Sequence, residues 1–167
     1  MLIFSKEELA LHKAKEKEWI LANGLGGYSS STILGLNTRK RHGLLVSALN
    51  KPLERNLILS KFEETVSIGK NNYSLSVNKF PENRYYPHGY QYLEGFVFNV
   101  YPTFNYKIKG VDIIKSICMV HGNNAVVVSY KILSDKDFKF VVKPLINSRD
   151  INKNTHEPDW VFDQEFS

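Results

Sequence analysis

Along most of this chain apolar residues fall at alternate positions in short runs broken by turn formers, which is the period of half-buried β-strands. The pattern predicts strands at 18–22, 28–35, 42–49, 56–68, 72–79, 94–108, 111–121, 124–133 and 138–146. Turn signals separate them at Gly24–Gly27, Gly69–Asn72, Lys109-Gly110, Gly122–Asn124 and Asp135–Asp137. Phe138, Phe140, Val142 and Pro144 alternate with Lys139, Val141 and Lys143, as a strand with one buried face requires. Val126-Val127-Val128 is continuous and predicts cover on both sides. One segment, 5–17, reads as a surface helix, with Ser5 and Glu8 at capping-box spacing and good helix formers after them. Tight turns with no helix between strands demand antiparallel connections. The expected fold is therefore all-β, an antiparallel β-sandwich with one short N-terminal helix, in a single domain over 1–167.

Composition narrows the classes. A chain of 167 residues buries about 70% of its unfolded surface, enough for a core without staples. The lone Cys118 excludes an internal disulfide and, in the run Ile117–Val120, reads as a buried small hydrophobe. No apolar run reaches the roughly 20 residues of a membrane-spanning helix, and no charged leader precedes an apolar stretch, so the expected setting is cytoplasmic with no membrane partner. The net charge of +5 permits an anionic partner. Apart from Arg39-Lys40-Arg41-His42 the basic residues are scattered, without a recognition helix or interleaved aromatics, and no nucleic-acid partner is expected.

Polar chemistry is densest between Glu18 and Val46, where Trp19, Tyr28, clustered glycines and the run Asn37–His42 lie between apolar segments. Gly24-Leu25-Gly26-Gly27 resembles a phosphate-cradling loop only superficially. Such a loop needs a helix after it, and the β-branched Tyr28–Leu34 stretch makes a hairpin turn instead. Asn37, Arg39 and His42 suit a polar ligand with hydroxyls; an exposed turn explains them equally.

His12, His42, His88, His121 and His156 have no partner at metal-ligand spacing, so no metal or other cofactor is expected. His88 and Tyr90 sit in the Tyr85–Tyr90 loop, either a flat platform for sugar faces or a cap on the sandwich end. Glycosidic cleavage needs two carboxylates across the scissile bond. Glu63, Glu64, Glu94, Asp112 and Asp150 cannot be paired by spacing, and no catalytic residue is assigned. The apolar Trp160, Phe162 and Phe166 suggest that the C-terminal stretch packs back, or that the domain is incomplete at that end.

Four ordered blocks carry a family resemblance. The first comprises Glu18, Trp19, Asn23–Tyr28, Thr32, Gly35, Asn37–Lys40 and His42–Leu45. The second is Leu59–Glu64. The third runs from Pro87 through Tyr92–Glu94, Pro102, Phe104, Tyr106 and Gly110 to Met119–Asn123. The fourth is Lys143–Asn147 with Arg149-Asp150. Together they resemble the N-terminal domain of archaeal- and bacterial-type glycogen debranching enzymes, the amylo-α-1,6-glucosidases. The chain departs where the family follows Arg-Asp with an aromatic and a His, having Ile151-Asn152 instead.

The resemblance implies a supersandwich-like β-domain set ahead of an (α/α) barrel that hydrolyses α-1,6-glucosidic branches. Its expected role is non-catalytic, positioning an α-glucan (glycogen or a maltooligosaccharide) and docking onto a catalytic barrel in trans. On that view Trp19 and Tyr28 stack on sugar, while Asn37, Arg39 and His42 bind hydroxyls. The Asn23-Gly24-Leu25-Gly26-Gly27 turn would hold the rim. His88, Tyr90, Arg149 and Asp150 are secondary candidates, the last two also explicable as a buried ion pair. A protein-interaction module, or a truncated fragment that binds no sugar, is the alternative.

Overall fold

The computed structural model describes residues 1–50 and 54–154. Its strands, in chain order, are β1 (Leu2–Ser5), β2 (Glu18–Ala22), β3 (Tyr28–Thr32), β4 (Gly43–Asn50), β5 (Glu54–Ile68), β6 (Asn71–Ser74) and β7 (Asn78–Phe80). β8 (Arg84–Tyr86), β9 (Leu93–Phe98), β10 (Pro102–Ile108), β11 (Val111–Met119), β12 (Val126–Ser134) and β13 (Lys139–Asp150) follow. One sheet has the order β1-β9-β10-β11-β12; a second runs β13-β5-β4-β3-β2, with β6 also paired to β5; β7 and β8 form a small antiparallel two-stranded sheet of their own. All these pairings are antiparallel. Between the sheets lie Trp19, Leu44 and Val66 from one side and Phe96, Phe104, Tyr106, Ile113 and Ile117 from the other. Trp19 meets Phe104 edge-on with ring centroids 6.5 Å apart. The fold is an all-β sandwich.

The predicted helix at 5–17 is replaced by a 3₁₀ turn at Lys6–Leu9 and a four-residue helix α1 (Leu11–Ala14), separated by an extended Ala10 (ψ 136°). Glu8 accepts from the Ser5 N–H at 3.0 Å. Leu9 and Ala14 are both buried, yet five positions apart they do not share a face of one continuous helix. The break at Ala10 lets both turn inward.

Other expectations shift for equally local reasons. The single strand at 94–108 is a β9–β10 hairpin turning at 99–101, the one at 72–79 is divided between β6 and β7, and β1 and β8 were not foreseen. Val126–Val128 is not covered on both sides: β12 is an edge strand, and Val127 stands 53% exposed. Cys118 occupies an outward position on β11 and is exposed rather than buried. Residues 147–150 continue β13 instead of losing order. The lost periodicity reflects register shifts around Ile146. Pro144 is tolerated there because β13 is an edge strand. Trp160, Phe162 and Phe166 lie outside the described residues.

A change of phase in the second sheet prepares the site. Leu44 belongs to the inter-sheet core, but Val46, two residues on, belongs to a separate cluster with Leu57 and Ile151, packed by Tyr28. Strict alternation would put Leu44 and Val46 on one face. Register shifts between Tyr28 and Ser30 and between Leu45 and Val46 break it. Apolar side chains are thus delivered to the outer face of the sheet.

Candidate functional site

On that outer face an open groove of about 470 Å³ is lined by Glu18, Ile20, Tyr28, Arg39, Arg41, His42 and Arg55, with Ile151 and an edge of Trp19. A second depression of about 460 Å³ borders it and includes Lys15, Thr38, Lys79 and Tyr85. Glu18 and Arg39 line both, so their ion pair, Nε to Oε1 at 2.5 Å, forms the ridge between them. By contrast the cavity enclosed between the sheets, against Lys61, Glu64, Ser76 and Lys115, is only about 20 Å³. That is water-sized and holds no organic ligand.

Local chemistry explains the groove's shape. β2 and β3 pair from Glu18↔Thr32 to Ala22↔Tyr28, which places Ile20 and Tyr28 on the face opposite Trp19. The turn between them is built on Asn23, fully buried, whose Oδ1 accepts from the N–H groups of Leu25 (2.9 Å) and Gly27 (3.0 Å). Its Nδ2 donates to the Asn123 carbonyl at 2.9 Å and to Asn124 Oδ1 at 3.0 Å. Gly24 and Gly26 have φ of +79° and +93°, accessible to glycine without strain. The Gly26 carbonyl in turn accepts from Arg55 Nε at 2.6 Å. This hairpin therefore holds a guanidinium at the groove wall.

The loop after β3 supplies the opposite wall. His42 is buried and its Nδ1 accepts from the Thr38 N–H at 3.1 Å, which assigns the ring proton to Nε2, 3.5 Å from Glu18 Oε1. Burial lowers the His42 pKa, and Glu18 opposes that shift only in part. Tyr28 Oη donates to the Arg41 carbonyl at 2.8 Å, and burial raises its pKa against the pull of Arg41, Arg55 and Arg149. Arg41 donates to Asn152 Oδ1 at 2.7 Å, while Arg149 reaches the Lys40 carbonyl at 2.5 Å and the Lys153 carbonyl at 2.6 Å. The segment after β13 is thereby tied to the Arg39–Arg41 loop.

Of the expected residues, Tyr28, Arg39 and His42 converge on the groove. Trp19 is only 5% exposed, with its ring packed inward and Nε1 donating to the Thr32 carbonyl at 3.1 Å; it has no face to offer a sugar. Asn37 is likewise turned inward. It donates to the Ser60 carbonyl at 3.0 Å and accepts from Ser31 Oγ at 2.8 Å, so it anchors the loop instead of reaching the rim. His88 and Tyr90 are elsewhere: the His88 ring lies edge-on to both Tyr86 and Tyr90, with centroids 6.0 Å away in each case. Arg149 and Asp150 form no ion pair with each other. The guanidinium meets the Asp150 carbonyl at 3.4 Å, and the carboxylate accepts from the Asn152 N–H. Arg55, Ile20 and Ile151 were not anticipated: Ile20 faces the groove by simple alternation with Trp19 in the unbroken β2–β3 register, whereas Arg55 and Ile151 lie beside register shifts in the β4–β5 and β13–β5 pairings that leave no mark in local spacing.

The fold and site together are those of an all-β sandwich with a polar trough across the outer face of one sheet. The chain belongs to the family described as glycogen debranching enzyme N terminal, whose profile matches residues 17–167. No curated protein and no solved structure matches it. No helix among the described residues is long and apolar enough to cross a membrane.

Proposed function

We propose that this chain is the glucan-positioning module of a debranching enzyme, holding an α-glucan in the double trough and presenting it to a catalytic (α/α) barrel onto which it docks. The observation that carries this is the confluence of two open grooves at the Glu18–Arg39 pair. An extended polymer needs a track longer than one pocket, and here a tyrosine stands on each side of the ridge, Tyr28 in one groove and Tyr85 in the other. Sugars present hydroxyls and an apolar face, and rigid aromatics beside convergent charged groups match both. Hydrolysis of the α-1,6 branch is assigned to the barrel, and a cytoplasmic setting goes with that role.

The test is calorimetric titration of the chain with maltoheptaose, repeated for Arg39→Ala and Tyr28→Ala. Saturable binding weakened by both substitutions, with unfolding midpoints retained for Arg39→Ala, supports the trough. Binding indifferent to both, or none at all, overturns it and leaves a module that contacts protein only.

A further inference from the structure

We propose that one end of the trough is a phosphate subsite, in which Arg41 and Arg55 bind the anionic group of a phosphate-bearing saccharide beside the Tyr28 ring. The inference rests on the trough being a ligand site, as proposed above, but names a ligand class that a neutral-glucan reading does not require.

Three features point to an anion. The described lining of this groove contains three guanidinium groups (Arg39, Arg41, Arg55) and one carboxylate, Glu18, a difference of +2 in formal charge. Glu18 is engaged with Arg39 at 2.5 Å, at the ridge. Arg149 adds to the same field, since it acts electrostatically on Tyr28 together with Arg41 and Arg55.

Second, the two guanidinium groups come from different parts of the fold, Arg41 from the β3–β4 connection and Arg55 from the start of β5, and are held in place by neutral oxygens. Arg55 Nε donates to the Gly26 carbonyl at 2.6 Å, and Arg41 donates to Asn152 Oδ1 at 2.7 Å. Each guanidinium has five N–H donors, so these contacts orient the fork and leave further donors for a ligand. Donors ordered beforehand lose little freedom on binding. Planar forks of this kind suit the several oxygens of phosphate better than a single hydroxyl.

Third, the floor beside them is apolar. Ile20 is 62% exposed, Ile151 is buried beneath, and Tyr28 packs on Val46 and Leu57. A free ion needs no such floor, whereas the body of a sugar ester does. Phosphate has two sources, the free ion and an ester, and the probes separate them.

The experiment is an amide NMR titration of the whole chain with sodium phosphate, glucose 6-phosphate and maltotriose, at ionic strength held constant with chloride because exposed charges are screened. Expected are saturable phosphate-induced shifts centred on Tyr28, Arg41, Arg55 and Ile151, tighter for the sugar ester than for the free ion. Arg41→Gln and Arg55→Gln should each weaken binding by about tenfold, the loss of one charge-assisted contact. Arg55→Lys, which keeps the charge and loses the fork, should fall between. Lys131→Gln on the other sheet should change nothing. Equal affinity for ion and ester would still support the subsite and identify free phosphate as its occupant. Shifts scattered over surface lysines, or surviving both Gln variants in chains whose spectra remain folded, overturn it. If maltotriose alone binds, the subsite is refuted and the glucan trough stands. If phosphate binds and maltotriose does not, the trough loses its neutral ligand and the subsite stands; if neither binds, both fail.

Discussion

Lys115 on β11 and Glu64 on β5 meet across the interior of the sandwich, Nζ to Oε1 at 2.5 Å, with both side chains buried. Tyr130 Oη donates to the same carboxylate oxygen at 2.7 Å. Lys61 lies alongside and donates to the Val77 carbonyl at 2.8 Å and Asn78 Oδ1 at 2.9 Å. The two sheets are therefore joined by charge as well as by apolar packing. Removing an ion from water is costly, and here each charge is tolerated because its partner is present.

Deleting one partner should be worse than deleting both. Glu64→Ala leaves Lys115 uncompensated and is expected to cost about 3–5 kcal/mol, whereas Glu64→Leu with Lys115→Met should recover most of that loss. Urea unfolding of the single and double variants measures this. A single-variant loss below about 1 kcal/mol, the scale of an ordinary substitution, would remove the network from any account of stability.

Stability should rise on the alkaline side before it falls. Burial first, then Lys115, lowers the Lys61 pKa from 10.5 to about 8. Between those values the unfolded chain binds more protons than the folded one, so unfolding free energy increases with pH. Tyr106 and Tyr130 act oppositely: burial raises both above 10.0, and stability is lost as pH climbs past 10.0, where only the unfolded tyrosines ionise. Chemical unfolding from pH 7 to 11 should show the rise, and Lys61→Met should flatten it. A monotonic fall in the native chain would contradict the assignment.

On the acid side His42 sets a second slope. Burial holds its folded pKa below 6.5, so the unfolded state takes up the proton first and stability declines as pH drops through 6.5. Protonating Nδ1 also breaks its bond from the Thr38 N–H and loosens the loop carrying Arg39. His42→Gln should be less stable at pH 7 but less sensitive between pH 7 and 5. Equal sensitivity in both chains would show that other groups govern that window.

At the hairpin, Gly24→Ala should destabilise more than Gly35→Ala. Both have positive φ, +79° and +68°, but an added Cβ at 24 would lie 2.6 Å from His121 Cε1, while at 35 nothing lies within 4 Å. Left-handed strain alone costs about 1–2 kcal/mol; the collision adds to it. Combining Gly24→Ala with His121→Ala should return the excess and leave the strain. Thermal melts of the native chain, the single variants Gly24→Ala, Gly35→Ala and His121→Ala, and the double variant decide it, and additive losses in the double variant would mean that the ring does not obstruct.

Arg39→Ala separates binding from folding. Its guanidinium is well exposed and paired to Glu18, and such surface pairs contribute about 0–1 kcal/mol. Stability should hardly change while maltoheptaose affinity falls. A large drop in melting temperature would instead make the Glu18–Arg39 ridge structural.

Alternation of apolar and polar residues was enough to determine an all-β chain, because a strand that buries one face must alternate. β2 was legible to the residue, and β4, β5, β11 and β12 to within about two, the usual looseness of such boundaries. The hairpin of Asn23–Gly27 and the family itself were likewise written in local residue types. What the chain's own order could not show was phase. Leu44 and Val46, or Leu57 and Leu59, share parity in sequence, yet the first of each pair and the second pack on different clusters. A single displaced pairing moves every later side chain to the other face, and that displacement depends on partner strands distant in sequence. The same distance explains why Trp19 and Asn37, polar or aromatic and well placed in the motif, turned out to serve the interior. It also explains why Arg55, drawn to the Gly26 carbonyl from a strand 29 residues away, entered the site unannounced. Composition and periodicity decided which elements form; tertiary pairing decided which side chains face the groove.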